Sequence, residues 1–302
     1  MPRATLGVIG LGNMGRGIAR NIARARFQTA IWDIRPQALR AFAGKRGVTV
    51  SEPAEMARRC AVIFFVVPGS SEIDTTLRGR KGILAHARQG LVLYDLTTSH
   101  PAQTVRLAQR AAAEGVAYLD AGMSGGATGA DAGTLTLMIG GDARAFRHTR
   151  KYLAPFTQDL FYLGKSGAGH TLKLIHNMVC HTIFLATCEG GRMAARAGVR
   201  LEDMIAVFNR ANARSYASQV RFPRHILSGR WDGRSRIYNL HKDLAMAVSL
   251  AGGLGADVTL GRRTLAFLQR AIARGMDDRD FTLLYRDFEQ IRRAPLRRHK
   301  QA

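Results

Sequence analysis

The first half of the chain alternates short apolar runs with stretches of helical composition. The apolar runs show little alternation of apolar and polar side chains, which is typical of strands buried on both faces of a parallel sheet. Helical stretches between such strands cover the faces of the sheet. The predicted strands are 5–10, 28–32, 62–67, 91–95, 117–120 and 135–140, and the predicted helices between them are 14–25, 36–42 and 101–114.

After Gly164 the pattern changes, and long helical stretches replace the strands. The fold class predicted is α/β, with a doubly wound sheet over residues 1–164 and an all-α domain over 165–302. The length of 302 residues and the 46% hydrophobic composition suffice for a core in each domain. The helices predicted in the second domain are 166–197, 201–209, 238–254, 261–275 and 281–291.

The net charge of +23 raises the question of nucleic-acid binding. The basic residues are scattered through every segment, and no zinc finger, basic zipper or aromatic RNA-binding signature accompanies them. We therefore expect no nucleic-acid partner. A positive field would instead attract small anionic substrates and nucleotides.

Membrane and metal functions find no support in the pattern. The apolar stretches are much shorter than the roughly 20 residues that cross a bilayer, and no signal-peptide order is present, so we expect a cytoplasmic protein without a membrane partner. Cys60, Cys180 and Cys188 show neither a CxxC nor a Cys/His ligand spacing. We expect three free thiols and no metal.

The run Gly10-Leu11-Gly12-Asn13-Met14-Gly15 follows a predicted strand and opens a predicted helix. In that context GxGxxG indicates a dinucleotide site, with a tight turn, close backbone approach to the pyrophosphate, and close helix packing. Asp33 ends the second strand, where a carboxylate accepts the ribose hydroxyls of NAD. Arg35 would suit the extra phosphate of NADP. We expect NAD, with NADP possible.

A second glycine-rich segment covers residues 120–135, at the predicted carboxyl edge of the sheet. Ser124, Gly125 and Gly126 offer a hydroxyl and successive backbone N–H groups, which together suit a carboxylate. A plain flexible turn is the alternative. The five glycines between positions 122 and 133 exceed what one turn requires.

A third segment, residues 164–177, opens the long helix. Lys173 and Asn177 are four residues apart and share one helical face, with His170 three residues before Lys173. A lone helical Lys is more often a solvated surface residue. In an apolar helix, however, a Lys is costly to bury unless it has a partner or a chemical role.

These segments together resemble the β-hydroxyacid dehydrogenases, a family related to 6-phosphogluconate dehydrogenase. Four blocks match in order over nearly the whole chain: residues 7–15, 120–135, 164–177 and 242–244. The resemblance implies a Rossmann domain, an all-helical domain, an active site in the cleft between them, and a homo-dimer or homo-tetramer built through the helical domains.

The resemblance also implies roles for individual residues. Lys173 would be the catalytic acid/base with Asn177 as its substrate-binding neighbour, and Ser124, Gly125 and Gly126 would hold the substrate carboxylate. The cofactor contacts would include Val67, Pro68, Thr98 and Lys242. The chain departs from the family at Gly122-Met123, where Pro-Val is usual.

The implied reaction is hydride transfer between NAD(P) and the β carbon of a small β-hydroxy acid or its semialdehyde. Tartronate semialdehyde, 3-hydroxyisobutyrate and threonate-like acids all fit, and the sequence does not rank them. Two alternatives are an imine reductase and a dinucleotide-binding module without chemistry. Lys173 argues against both, since it is replaced in the relatives without chemistry and imine reductases usually lack a Lys at that position. Arg214, in the Arg-rich stretch 210–236, is either a second anion contact or a solvated charge.

Overall fold

The computed structural model describes residues 4–294, which form two compact units. The first unit ends at Lys173, and the second begins at Leu174, within one long helix.

Eight strands form one sheet in the first unit. In chain order they are β1 (Thr5–Ile9), β2 (Gln28–Trp32), β3 (Val48–Val50), β4 (Val62–Phe65), β5 (Val92–Asp95), β6 (Ala117–Ser124), β7 (Leu135–Gly140) and β8 (Thr157–Tyr162). Across the sheet the order is β3-β2-β1-β4-β5-β6-β7-β8, and all neighbours are parallel except β6 and β7. From β1 the chain builds the sheet outward to β2 and β3 on one side, and from β4 it builds on the other side. Open α/β sheets bind ligands at this topological switch point between β1 and β4.

Successive side chains of the central strands enter different cores. On β4, Val62 and Phe64 join one apolar cluster, and Ile63 and Phe65 join the other. This follows from the two-residue period of a strand. All four are fully buried, so the sheet is covered on both faces, as the unbroken apolar runs predict.

Helices flank the strands of the first unit. They are α1 (Gly15–Arg24), α2 (Pro36–Arg40), α3 (Pro53–Arg59), α4 (Ser70–Leu77), α5 (Pro101–Ala113), α6 (Gly126–Ala132) and α7 (Ala143–Thr149), with short 3₁₀ turns at Leu84–His86, Arg150–Tyr152 and Ala154–Phe156. Helix α8 (Ala168–Arg196) begins in this unit and continues into the second.

In its described part, the second unit consists of helices joined by loops, with one isolated bridge between Arg236 and Asp280. After α8 it contains α9 (Leu201–Arg210), a π-helical stretch (Ala217–Leu227), α10 (Ile237–Gly253), α11 (Thr259–Ala273), α12 (Leu283–Arg286) and α13 (Phe288–Arg293). Its core includes Phe184, whose ring packs edge-on against Phe281 with centroids 5.1 Å apart. The predicted fold class, a doubly wound α/β domain followed by an all-α domain, is confirmed.

Several elements differ from the sequence prediction. Strands β3 and β8, helices α3, α4, α6 and α7, and the π-helical stretch were not predicted. The predicted strand 117–120 continues to Ser124 because β7 pairs with residues 120–124. The predicted helix 281–291 is two short helices that meet at Asp287.

The predicted free thiols are observed at all three cysteines. Cys60 and Cys188 are buried, and burial raises the pKa of the Cys60 thiol to about 12. Within residues 4–294, no helix is both long enough and apolar enough to cross a membrane.

Candidate active site

The glycine loop joins β1 to α1 through backbone contacts too close for side chains. Gly10 has φ +95°, and a Cβ there would lie 2.3 Å from the carbonyl oxygen of Val66. A Cβ on Gly15 would lie 1.8 Å from the carbonyl oxygen of Gly10. A Cβ on Gly12 would meet no described atom within 4 Å. Close packing at Gly10 and Gly15 and open space at Gly12 match the three tasks of a dinucleotide loop.

The remaining loop residues differ in exposure. Leu11 is buried, Asn13 is exposed, and Met14 immediately precedes α1. The backbone N–H of Leu11 donates to Asp33 Oδ2 at 2.7 Å, so the carboxylate that ends β2 also braces the loop.

Asp33 is only 7% exposed, and Arg35 lies across it. Its Oδ1 accepts from the backbone N–H and Nε of Arg35 at 2.9 and 3.1 Å, and its Oδ2 accepts from Nη2 at 3.2 Å. Burial alone would raise the pKa of the Asp33 carboxyl, but the hydrogen bonds from Arg35 and Leu11 and the guanidinium charge lower it below its usual value. Arg35 therefore occupies the carboxylate that a ribose would use.

Val67 and Pro68 follow β4, next to the glycine loop. Val67 is half-buried and Pro68 exposed, and a Cβ on Gly10 would lie 3.1 Å from Val67 Cγ1. Val67 and Pro68, two and three residues after the end of β4, therefore lie beside the loop after β1 at the same switch point.

Thr98 lies in the loop after β5, which a buried carboxylate holds in place. Asp95 Oδ1 accepts from the backbone N–H of Thr97 at 2.9 Å and from its hydroxyl at 2.5 Å. Its Oδ2 accepts from the hydroxyl of Tyr118 at 2.7 Å. Burial raises the pKa of Tyr118 well above its usual value, and the nearby Asp95 and Asp120 carboxylates raise it further.

Ser124, Gly125 and Gly126 form the turn between β6 and α6. Gly125 and Gly126 have φ of +117° and +60°, in the left-handed region that favours glycine. Both glycines are exposed, and Ser124 is partly buried.

Helix α6, which follows this turn, rests directly on α1. The side-chain amide of Asn21 donates to the carbonyl oxygen of Ala130 at 2.8 Å. A Cβ on Gly17 would lie 2.8 Å from the same oxygen. The two glycine-rich loops are therefore built on one helix pair.

Lys173 lies with its aliphatic stem on the backbone of β6. A Cβ on Gly122 would lie 2.5 Å from Lys173 Cβ and 2.9 Å from its Cγ. Lys173 is only 8% exposed. Because Gly122 and Ser124 are two residues apart on a strand, the stem of Lys173 and the hydroxyl of Ser124 lie on the same face of β6.

The start of α8 is fixed to the sheet by Asp120, which is fully buried. Its Oδ1 accepts from the backbone N–H of Gly167 at 2.8 Å, and its Oδ2 accepts from that of His170 at 2.9 Å. A Cβ on Gly169 would lie 2.2 Å from the carbonyl oxygen of Met138 on β7. Direct contact between backbones thus sets the height of Lys173 above the strand.

In the second unit, Asp243 connects two of the predicted residues. Asn177 is 7% exposed, and its side-chain amide donates to Asp243 Oδ2 at 2.7 Å. Lys242 Nζ lies 3.5 Å from Asp243 Oδ1. Asn177 Oδ1 also lies 3.0 Å from Nδ1 of His176.

Three structural contacts near the predicted site residues were not predicted from the sequence: the bonds between Asp120 and the start of α8, the packing of Lys173 on Gly122, and the bonds from Asn177 and Lys242 to Asp243. Each depends on a residue distant in the chain. The only local signal was that Asp120, Gly122 and Asp243 belong to the glycine-rich and Lys-Asp-Leu blocks already singled out.

The residues present fit a dinucleotide cofactor. The open side of Gly12 admits a pyrophosphate, and the first turn of α1 presents backbone N–H groups beside it. In the described part of the chain, His, Cys, Asp and Glu side chains form no group of three that could hold a metal ion.

Known proteins match the chain over both units. Residues 5–164 match the family model for the NAD binding domain of 6-phosphogluconate dehydrogenase. Residues 167–288 match the model described as NAD-binding of NADP-dependent 3-hydroxyisobutyrate dehydrogenase. The predicted NAD(P) cofactor is confirmed by these matches.

Two relatives illustrate the similarity. An L-threonate dehydrogenase from Cupriavidus necator is 33% identical over 82% of this chain and 83% of its own length. The structure of a Mycobacterium tuberculosis 3-hydroxyisobutyrate dehydrogenase with L-serine superimposes with a TM-score of 0.84 at 26% identity, covering 95% of this chain and 99% of that one.

Imine reductases are more distant. One from Pseudomonas sp. covers 95% of this chain and 99% of its own, with a TM-score of 0.63 and 18% identity. That likeness extends to the fold alone, so it gives no support to the imine reductase alternative.

Proposed function

The chain belongs to the β-hydroxyacid dehydrogenase family, and from this premise we propose that it transfers a hydride between NAD(P) and the β carbon of a small hydroxy acid, with Lys173 as the acid/base. The family membership and the NAD(P)-dependent oxidoreduction of hydroxy acids agree with the sequence analysis. The residue roles and the substrate form the proposal.

The contact between Gly122 and Lys173 is the observation that carries the proposal. It keeps a buried Lys on the same face of β6 as Ser124, which begins the turn with two exposed glycines. A proton-transfer group and a carboxylate-binding turn thus share one strand face. A dinucleotide-binding module without chemistry needs neither.

Lys173 moves the proton of the reaction. Bound NAD(P) supplies the hydride acceptor or donor. In oxidation, Lys173 accepts the β-hydroxyl proton as the hydride leaves the same carbon. In reduction its ammonium donates that proton to the forming alkoxide.

The other residues orient the substrate and the cofactor. The hydroxyl of Ser124 and the N–H groups of Gly125 and Gly126 bind the substrate carboxylate. Asn177, four residues after Lys173 on α8, donates a hydrogen bond to the substrate hydroxyl oxygen. Its bond to Asp243 fixes the orientation of its amide. We assign Lys242 to the cofactor, along with Val67, Pro68 and Thr98.

The test is a NAD(P)H absorbance assay with 3-hydroxyisobutyrate, L-threonate, L-serine and tartronate semialdehyde. We expect one or more of them to turn over, and Lys173→Ala to lower kcat by about 10²- to 10⁴-fold while NAD binding persists. Lys165→Ala is the matched control, because Lys165 is exposed and precedes α8. Turnover by Lys173→Ala close to that of the control, or no turnover of the whole panel, would contradict the proposal.

We also propose that the protein is a homo-dimer or homo-tetramer. Ile175, Val179 and Ile183 are spaced four residues apart on α8 and are 44%, 49% and 40% exposed. A helix face of this kind is apolar enough to favour burial against another surface. A second copy of this chain is the occupant that family membership supports.

A further inference from the structure

We propose that His170 is a positioning residue for Lys173, held on one side by a hydrogen bond to Thr104 of α5 and facing the carboxylate of Asp95 on the other. The inference rests on the proposed function and deepens it. It assigns a task to the one fully buried imidazole in the first turn of α8, for which the mechanism above has no role.

The ring of His170 has a different neighbour on each side. Its Nδ1 lies 2.7 Å from the hydroxyl oxygen of Thr104, which is itself fully buried on α5. Its Nε2 lies 3.9 Å from Asp95 Oδ1 and has no hydrogen-bond partner among residues 4–294. A buried imidazole nitrogen normally finds a partner, so the carboxylate on this side is the group that matters.

The position of the ring proton follows from these neighbours. A neutral imidazole has one donor nitrogen and one acceptor nitrogen. A bare Nε2 would aim its lone pair at the Asp95 carboxylate, which is repulsive. The favourable arrangement places the proton on Nε2, and Thr104 then donates its hydroxyl proton to Nδ1.

Asp95 connects this ring to the loop on the cofactor side. The same oxygen that faces His170 accepts both hydrogen bonds from Thr97, one residue before Thr98. His170 is also tied to β6, because its backbone N–H donates to Asp120. Through His170, the helix turn that carries Lys173 is joined to the β5 loop and to the strand that leads to Ser124.

His170 affects the alignment of Lys173 with the loop that contains Thr98. Lys173 follows His170 by three residues, so a tilt of the first turn of α8 moves the ammonium group relative to the loop of Thr98. A misplacement of about 1 Å in a reacting group costs about 100-fold in rate. His170 therefore holds the proton-transfer group in register with the site of hydride transfer.

Two substitutions separate the two sides of the ring. In His170→Asn the amide reaches only the Nδ1 position, so the contact with Thr104 persists and the donor to Asp95 is lost. In His170→Gln the amide nitrogen reaches the Nε2 position and restores that donor. His148→Asn is the control, because His148 is exposed on α7.

With the hydroxy acid that wild type turns over, we expect His170→Asn to lower kcat per NADH-binding site by about 10- to 100-fold. KM and NADH affinity should stay within about twofold, and the isotope effect from deuterium on the reacting carbon should grow as hydride transfer becomes limiting. We expect His170→Gln to recover most of kcat. The proposal would be overturned if His170→Asn reduced only the number of NADH-binding sites and left kcat per site normal. Equal losses of kcat in His170→Asn and His170→Gln would also overturn it.

A second measurement does not depend on activity. In protein labelled with ¹⁵N in the histidine rings, the His170 signals are identified by their absence in His170→Asn. We expect Nε2 to carry a proton. An Nε2 without a proton overturns the inference, even if wild type turns over none of the acids. Absence of turnover by itself counts only against the proposed function.

Discussion

At the scale of single residues, the structure shows which side chains compete for one group. The Asp33 carboxylate receives one hydrogen bond from the glycine loop and three from Arg35. A carboxylate offers about four lone-pair positions, so in the proposed cofactor site the Arg35 side chain must move before Asp33 can accept from the ribose of NAD. The Arg35 side chain is 61% exposed, so it can exchange its bonds to Asp33 for bonds to water.

Arg35→Ala should raise the preference for NAD over NADP. The change frees Asp33 for the ribose hydroxyls and removes the cation that would pair with the extra phosphate of NADP. We expect the ratio of kcat/KM for NAD to that for NADP to rise by about tenfold or more. Arg40→Ala is the control, because Arg40 is exposed on the neighbouring α2. An equal ratio in both variants would show that Arg35 takes no part in cofactor choice.

Gly122 explains a departure from the family pattern. Where Pro is usual, this chain has no side chain, and the stem of Lys173 occupies the space. The altered residue thus sets how closely Lys173 approaches the strand.

Gly122→Ala should displace Lys173. The new methyl group would lie 2.5 Å from Lys173 Cβ, so the helix must shift or the Lys must change its path. We expect a fall in kcat of about tenfold or more and a loss of about 1–3 kcal/mol in the free energy of unfolding. Gly252→Ala, where a methyl group meets no described atom within 4 Å, should leave both unchanged or slightly improved. A normal kcat in Gly122→Ala would show that the contact with Gly122 does not determine where Lys173 lies.

At the scale of elements, local chemistry predicted the parts that depend on neighbouring residues. Strand β2 and strand β7 were predicted with their observed bounds, because each is a short run rich in apolar and β-branched side chains. Helix α6 was missed, since its two glycines disfavour a helix. It forms where Asn21 and Gly17 of α1 receive it, and no local pattern records a contact over more than 100 residues.

In the candidate site, too, residues recognisable from neighbouring sequence were predicted and residues defined by distant contacts were not. The glycine loop, Asp33 and Lys173 were predicted from short motifs and from the resemblance. The partners Asp120 and Asp243 were not predicted, because their hydrogen bonds reach 47 to 66 residues along the chain. Chain spacing determines which residues share a helix face, whereas only the packed fold determines which carboxylate meets which helix.

Asp120→Asn should weaken the anchoring of α8. Asn offers one oxygen where the carboxylate offers two, so one of the N–H groups of Gly167 and His170 loses its acceptor. We expect a loss of about 1–3 kcal/mol in the free energy of unfolding by urea and a lower kcat. Asp142→Asn is the matched control: Asp142 caps α7 with a bond to the N–H of Ala145, is exposed, and Asn caps helices equally well. Equal stability of the two variants would contradict the capping role.

At the scale of the whole molecule, the apolar face on α8 provides the test of assembly. A charge placed at an apolar contact between copies is costly to bury, so Val179→Glu should convert the oligomer to monomer in light scattering coupled to gel filtration. Val207→Glu introduces the same charge at an exposed position on α9 and should leave the mass unchanged. A monomeric wild type, or an unchanged mass in Val179→Glu, would count against assembly through this face.

The seating of α6 on α1 has a consequence for transplanting specificity. The turn at Ser124, which we propose binds substrate, leads into α6, and α6 contacts Gly17 and Asn21 of α1. A turn grafted from a relative brings its own helix, which must find a glycine and an amide at matching places. We therefore expect a chimaera that exchanges residues 124–132 to fold when positions 17 and 21 are exchanged as well. Under the proposed function, substrate choice is then transferred only by exchanging two distant segments together.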